Sequence, residues 1–171
     1  MRLAGLAPVL SPDARLLLLG SFPGARSLAE QRYYGHPQNQ FWKILSELWQ
    51  ADLVPLGYEA RLQALRDKGL ALWDVYGSCD REGSLDAAIR NPQLNDFAAL
   101  AEACPRLEAV AHNGAESFRQ APQVVAALAP AEDAEQFPVY KLPSTSPAHA
   151  SWTFAQKCEV WGTVFRRHGL L

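Results

Sequence analysis

The sequence predicts an α/β fold, a single domain over residues 1–171 with a central four-stranded parallel sheet and helices on both faces. Three observations predict it. Strand-like and helix-like segments alternate from one end of the chain to the other, as in a parallel sheet covered by its crossover helices. The run Leu16-Leu17-Leu18-Leu19-Gly20 is apolar without alternation, which suits a strand buried on both faces. The 171 residues are 49% hydrophobic and 20% charged, enough for one core without metals or disulfides and unlike a disordered, collagenous or coiled-coil chain.

Leu16 to Gly20 is the first strand. Phe41, Ile44, Leu45 and Leu48 then fall at i, i+3, i+4 and i+7, one stripe of a helix. Tyr58, Leu62 and Leu65 repeat the stripe, and Gly69 supplies a left-handed cap after Lys68. Leu70 to Val75 reads as the second strand. Asn95 suits the N-cap of a helix carrying Phe97, Leu100 and Ala101, with Pro105 past its end. Leu107 to His112 is the third strand, running into an Asn113-Gly114 turn. Pro122 to Gln136, alanine-rich and acidic, reads as a helix plus a surface loop. Pro138 to Leu142 is the fourth strand, and a last helix carries Phe154, Cys158, Trp161 and Phe165 on one face. No internal repeat and no linker divides the chain.

A net charge of −2 gives no global footprint for a polyanion, so any nucleic acid must meet a local basic patch. Arg26, Arg32, Lys43 and Lys141 are candidates, with a solvated surface as the alternative. Cys79, Cys104 and Cys158 are scattered and form no CxxC pair, so neither a disulfide framework nor a metal site is expected, and a reducing cytoplasm is. Residues 1–8 faintly imitate a signal peptide, but Pro8 interrupts the apolar stretch and Ser11-Pro12-Asp13 stands where small residues would be cleaved. The longest aliphatic run is far short of a membrane span.

Ligands of such sheets bind beyond the carboxyl ends of the strands. Four segments stand there: Gly20 to Gly24, Asp74 to Cys79, His112 to Gly114 and Pro143 to His149. Gly20-Ser21-Phe22-Pro23-Gly24 is a tight turn whose amides can face an anion or a base edge, though an ordinary strand-to-helix turn reads the same. It is neither GxGxxG nor an ATP-binding loop. Tyr33 to Trp42 is dense in aromatic, His and amide side chains. Phe41 and Trp42 are in phase with the core, whereas Tyr34 and Asn39 are suited to stack on and orient a flat ligand.

The order of these pieces resembles a known family. A strand ending in a glycine-proline turn, followed by Tyr34-Gly35-His36-Pro37-Gln38-Asn39-Gln40-Phe41-Trp42, resembles motif one of the uracil-DNA glycosylase superfamily. Leu142-Pro143-Ser144-Thr145-Ser146-Pro147 is similar to its second motif, a DNA-engaging Pro-Ser loop. The set is closest to the hypoxanthine-DNA glycosylase branch and spans nearly the whole chain. Two positions depart from better-known branches. Phe22 stands where an Asp or Asn orients the attacking water, and Leu142 stands where a His or Asn steadies the uracil anion. In the hypoxanthine branch the essential amide lies in the His-Pro-x-Asn loop, which is Asn39 here.

The resemblance implies a uracil-DNA glycosylase-like fold and a monofunctional glycosylase of base-excision repair. Its substrate would be deoxyinosine in damaged DNA, or alternatively uracil, including G/U mismatches. It implies no cofactor and no metal, and we expect a cytoplasmic protein, away from membranes, acting as a monomer. Breaking an N-glycosidic bond puts oxocarbenium character on the sugar and negative charge on the base. Asn39 would fix the water and favour the cationic sugar. Tyr34 would stack on the flipped base, and the amides of Ser21 and Phe22 would donate to it. Asp74 occupies the place of a base-reading Asn and could accept the N1–H of hypoxanthine. A helix cap or a salt bridge to Arg81 is its structural alternative. Gly24, Ser144, Ser146 and His149 would contact DNA, with Pro143 and Pro147 stiffening the loop.

Two rival readings remain at this stage. Ser21, His36 and Asp74 could form a hydrolase triad, although the GxSxG elbow is missing. The Gly20 to Gly24 turn could serve a nucleotide-binding module without catalysis.

Overall fold

A computed structural model of the protein describes all 171 residues. In chain order the elements are β1 (Arg2–Ala4), β2 (Leu16–Gly20), α1 (Ala25–Glu30), α2 (Phe41–Trp49), α3 (Tyr58–Lys68), β3 (Leu70–Asp74), β4 (Tyr76–Asp80), β5 (Arg90–Leu94), α4 (Phe97–Ala103), β6 (Ala109–Asn113), α5 (Ala115–Phe118), α6 (Ala121–Leu128), β7 (Val139–Leu142) and α7 (Phe154–Arg167). The central sheet has four parallel strands in the order β3-β2-β6-β7. From β2 the chain steps outward to β3, then returns to the other side of β2 as β6. That reversal opens a crevice at the carboxyl ends of the strands.

Both faces of the sheet are covered, as the unbroken leucine run requires. Leu16 and Leu18 point to one face, with Leu70, Leu72, Ala109 and Ala111, and pack on Phe41, Ile44 and Leu45 of α2 and Trp161 and Phe165 of α7. Leu17 and Leu19 point to the other, with Ala71 and Val110, and meet Phe97 and Leu100 of α4 and Val124 and Val125 of α6. Leu16 to Leu19 are each 0% exposed. Truncating any one of them to Ala would cost about 2–5 kcal/mol through lost transfer energy and a cavity.

Local signals set several boundaries. Gly69, at φ +85°, ends α3, and its amide bonds the Arg66 carbonyl. Thr153 and Gln156 form a reciprocal capping box at the start of α7. The cap of α4 is Asp96, whose side chain accepts from the Ala99 amide, and not Asn95. The Asn95 amide instead donates to the Asp74 carbonyl, bracing the end of β3. The second strand stops at Asp74, and the third covers Ala109–Asn113, two residues later at its start than periodicity suggested.

A second sheet was not legible in the sequence: β1, β4 and β5 pair antiparallel in the order β1-β4-β5. β1 has three residues, and every residue of β5 is exposed, so neither shows alternation. Pro92 sits on edge strand β5, where a missing donor costs little. This sheet carries the loop from Arg81 to Ile89 back toward the crevice.

Candidate active site

The four parallel strands end in register at Gly20, Asp74, Asn113 and Leu142. Side chains alternate along a strand, so Asp74, Asn113 and Leu142 project to the same face as Leu72, Ala111 and Leu18. Asp74 and Asn113 thus flank Gly20 on the face that carries α2. A Cβ at Gly20 would lie 2.5 Å from Asp74 Oδ1 and 3.1 Å from the Tyr34 hydroxyl oxygen. The absent side chain of Gly20 lets the carboxyl group and the phenol approach each other.

One side of this cleft is cross-linked. The Asn113 side-chain amide donates to the Tyr34 hydroxyl at 3.1 Å and to Thr145 Oγ1 at 3.0 Å, and its oxygen accepts from the Thr145 amide at 3.0 Å. The Gln40 amide donates to the Thr145 carbonyl at 3.0 Å. Lys157 Nζ, on a residue only 2% exposed, donates to Gln40 Oε1 and to the His149 carbonyl, while Trp161 Nε1 donates to the Pro143 carbonyl. The two motif loops therefore form one unit. Gly114, at φ +95°, turns the chain beside Ser144, whose Cβ would be 3.2 Å from an added Cβ. The turn is thus explained by Gly114, and Asn113 is spent on joining the loops.

Tyr34 adopts φ +54°, a left-handed conformation costing an L-residue on the order of 1 kcal/mol. Its ring stacks on Phe41 with centroids 4.1 Å apart and planes at 23°. Asn39 is half-buried. Its Oδ1 accepts from the Phe41 amide at 2.9 Å, fixing the carboxamide at the mouth of α2 and leaving the NH₂ group without a protein acceptor.

The other side is polar and sparsely paired. Asp74 is 5% exposed, and its Oδ2 has no hydrogen-bond donor. Burial raises its pKa to about 7, Asp86 adds to the rise, and Arg81 opposes it. Asp74 makes neither salt bridge nor helix cap. Arg81 is itself 8% exposed. It donates to the Pro23 carbonyl at 2.6 Å and lies 5.2 Å from the Phe22 ring, while its Nε and one terminal nitrogen have no acceptor. Ser21 Oγ donates to Asp86 Oδ1 at 2.6 Å, and the Ala25 amide donates to Ser84 Oγ at 2.9 Å. The Ser21 and Phe22 amides have no acceptor within the protein.

The remaining sequence candidates take varied places. The Phe22 side chain is buried in the core of the opposite face, so only its main chain is left to meet a ligand. Gly24 is the extended N-cap of α1. Ser144 Oγ accepts from the Ser146 amide and Ser146 Oγ from the Ala148 amide, which shapes the loop and leaves both hydroxyl hydrogens free. His149 is half-buried, and its Nε2 is enclosed without a partner. Arg26 pairs with Glu30 at 3.2 Å, and Lys141 is exposed beside the Phe118 ring. The triad is not assembled. The Ser21 hydroxyl bonds Asp86, and exposed His36 accepts from the Gln38 amide through Nδ1. His112, on the opposite face, bonds Ser117, and burial lowers its pKa to about 4.

Sequence reasoning missed Thr145, Lys157 and Asp86, and named Arg81 only as an ion-pair partner of Asp74, whereas it donates to the Pro23 carbonyl. Only Lys157 had left a signal: it lies in phase with Phe154, Cys158 and Trp161, a charge on the apolar stripe of α7. No helix of the protein is long and apolar enough to cross a membrane.

Comparison with known proteins agrees with this fold. The uracil DNA glycosylase superfamily model matches residues 7–164. A protein of Methanosarcina barkeri named hypoxanthine DNA glycosylase is 38% identical over 122 residues, 71% of this chain and 77% of its own length. A protein of the same name from Methanosarcina acetivorans is 32% identical over 162 residues, 95% of this chain and 97% of its own. The solution NMR structure of a candidate uracil DNA glycosylase from Methanosarcina acetivorans superposes with a TM-score of 0.82, at 32% identity and 98% coverage of both chains.

Proposed function

The chain belongs to the uracil DNA glycosylase superfamily, and from that premise we propose that it excises hypoxanthine from deoxyinosine-containing DNA as a monofunctional glycosylase. The observation that carries the reading is the clustering of Tyr34, Asp74 and the unpaired Ser21 and Phe22 amides around Gly20, beside the fixed carboxamide of Asn39. Two relatives named hypoxanthine DNA glycosylase support the choice of base. Phe22 and Leu142, where uracil enzymes carry polar side chains, favour hypoxanthine over uracil.

The reaction follows from these groups. The target nucleotide leaves the stack, at a cost of a few kcal/mol that contacts in the pocket offset. Tyr34, held by Phe41 and Asn113, takes the face of the base. The bond from C1′ to N9 breaks with its electron pair leaving on the base, and the Ser21 and Phe22 amides meet the charge that develops there. Asn39 orients a water toward C1′. That water supplies hydroxide to the sugar, and a proton returns through solvent to the base anion, leaving an abasic site and free hypoxanthine. Ser144 and Ser146 use their free hydroxyl hydrogens on phosphates, with His149 beside them and Gly24 letting the backbone approach closely. The protein acts without a cofactor, as a monomer in the cytoplasm.

The test is strand cleavage after alkali, using oligonucleotides that carry one deoxyinosine or one uracil opposite each base. Cutting at inosine and not at uracil is expected. Cutting mainly at uracil would overturn the choice of base, and cutting at neither would favour the binding-module reading.

A further inference from the structure

Resting on that reading, we propose that Asp74 reads the flipped base as a neutral carboxylic acid. Its hydroxyl, on the Oδ1 side, donates to O6 of hypoxanthine, so ionisation of this one group disables the pocket. Geometry points there first. Asp74 is nearly enclosed: Oδ1 is packed over Gly20 next to the Tyr34 hydroxyl, and Oδ2 is sealed within the protein with no hydrogen-bond partner. An ionised carboxylate held this way would lack the hydrogen bonds that make a buried charge tolerable.

The charged and titratable groups around it do not repair this. From the loop after β4 come Arg81 and Asp86, of opposite sign. Arg81 is directed to the Pro23 carbonyl and the Phe22 ring and makes no ion pair with Asp74, while Asp86 repels a second negative charge. From the motif-one loop come Tyr33 and Tyr34, both pushed upward by burial and by Asp74, and so neutral at any ordinary pH. Gly20, Ser21 and Asn113, on the neighbouring strands, bring no charge.

The chemistry of the base completes the argument. O6 of hypoxanthine is an acceptor, and a carboxylic acid presents a donor to it. A carboxylate offers acceptors only. It would oppose O6, and would oppose it further as the departing base gathers negative charge. A neutral donor at O6 instead strengthens its bond as that charge develops, which favours the transition state over the bound substrate.

The experiment is single-turnover release of hypoxanthine between about pH 5.5 and 9, for the wild type and Asp74→Asn, with ¹³C NMR titration of the side-chain carboxyls. The wild-type rate should fall about tenfold per pH unit above about 7. Asp74→Asn, whose amide keeps an acceptor and a donor, should give a level profile and overtake the wild type at the alkaline end. The carboxyl signal missing from the variant should titrate near pH 7. A falling limb that persists unchanged in Asp74→Asn would overturn the proposal, because it would belong to the base's own N1–H. A signal titrating in the ordinary carboxylate range would overturn it too. Wild-type protein inactive on inosine at every pH would refute the proposed function, while the carboxyl titration still decides the state of Asp74.

Discussion

The two sides of the cleft are built on opposite plans. On the side of the motif loops, Asn113, Thr145, Gln40 and Lys157 satisfy one another, and the Asn113 carboxamide uses both its hydrogens and its oxygen. On the side of β3 and the loop after β4, Asp74 and Arg81 are buried with polar atoms that have no hydrogen-bond partner in the protein. Buried polar groups are normally paired, because an unsatisfied one costs about 1–3 kcal/mol. The contrast teaches a division of labour. The first side spends its polar groups on fixing geometry, and the second holds them in reserve for a substrate. The predictions below separate the two kinds of group.

The largest effect is expected where a fixed side chain still has a free donor. Asn39→Ala should slow hypoxanthine release by about 100- to 1,000-fold, the usual loss for one preorganised polar group. It removes one hydrogen bond to the Phe41 amide, so the melting temperature should drop by only about 2–4 °C. Full activity in the variant would show that Asn39 merely shapes the loop.

Asp74 tests the reserve. Its pKa is raised from 3.8 to about 7, chiefly by burial. Below about pH 4 the carboxyl is protonated in both folded and unfolded chains, and no stability is at stake. Between about 4 and 7 the unfolded chain ionises while the fold holds the proton, so native stability falls, and above about 7 the deficit is constant. Asp74→Asn removes this deficit. It should melt higher than the wild type at pH 8, by an amount corresponding to about 2–4 kcal/mol, with the gap closing toward pH 4. A gap independent of pH in thermal melts would place the carboxylate in a paired, ordinary environment.

Asn113 tests the spent side. Asn113→Ala strips partners from Tyr34, from Thr145 Oγ1 and from the Thr145 amide at once. A loss of about 2–3 kcal/mol is expected, seen as a melting point lower by about 4–12 °C and largely independent of pH. Activity should fall with it, because the two loops lose their tie. If the loss of stability tracked pH as for Asp74→Asn, the two sides would not be distinct.

What was legible in the sequence follows the same division. The parallel sheet was readable because each of its strands is apolar enough to mark itself, and α2, α3 and α7 because their stripes repeat at helical spacing. Asn39, Tyr34 and Asp74 were readable because a loop motif or a strand end placed them. The β1-β4-β5 sheet was not, since β5 is exposed along its whole length and β1 is three residues long. Asp86 was hidden with it, and so was the place of Arg81, which the sequence offered only as an ion-pair partner of Asp74. Their approach to the site depends on a hairpin that no periodicity announced. Thr145 and Asn113 stood inside recognised segments, but their bond joins positions 32 residues apart, and spacing alone does not reveal it.

The smallest effect sharpens the boundary between the two sides. Ser21 sits on the turn that links them, and its hydroxyl donates to Asp86 at 2.6 Å. If the turn works through its backbone, Ser21→Ala keeps both free amides and loses one surface-proximal hydrogen bond. Hypoxanthine release should stay within about threefold of wild type, and stability within about 1 kcal/mol. A nucleophilic serine would behave otherwise, since its removal abolishes covalent catalysis. Losing the Ser21 bond also frees Asp86 to turn toward water, which weakens its repulsion of Asp74. The alkaline limb of the rate profile should therefore begin at slightly lower pH in Ser21→Ala than in the wild type. A shift in the other direction would mean that Asp86 reaches Asp74 only when the serine lets it go.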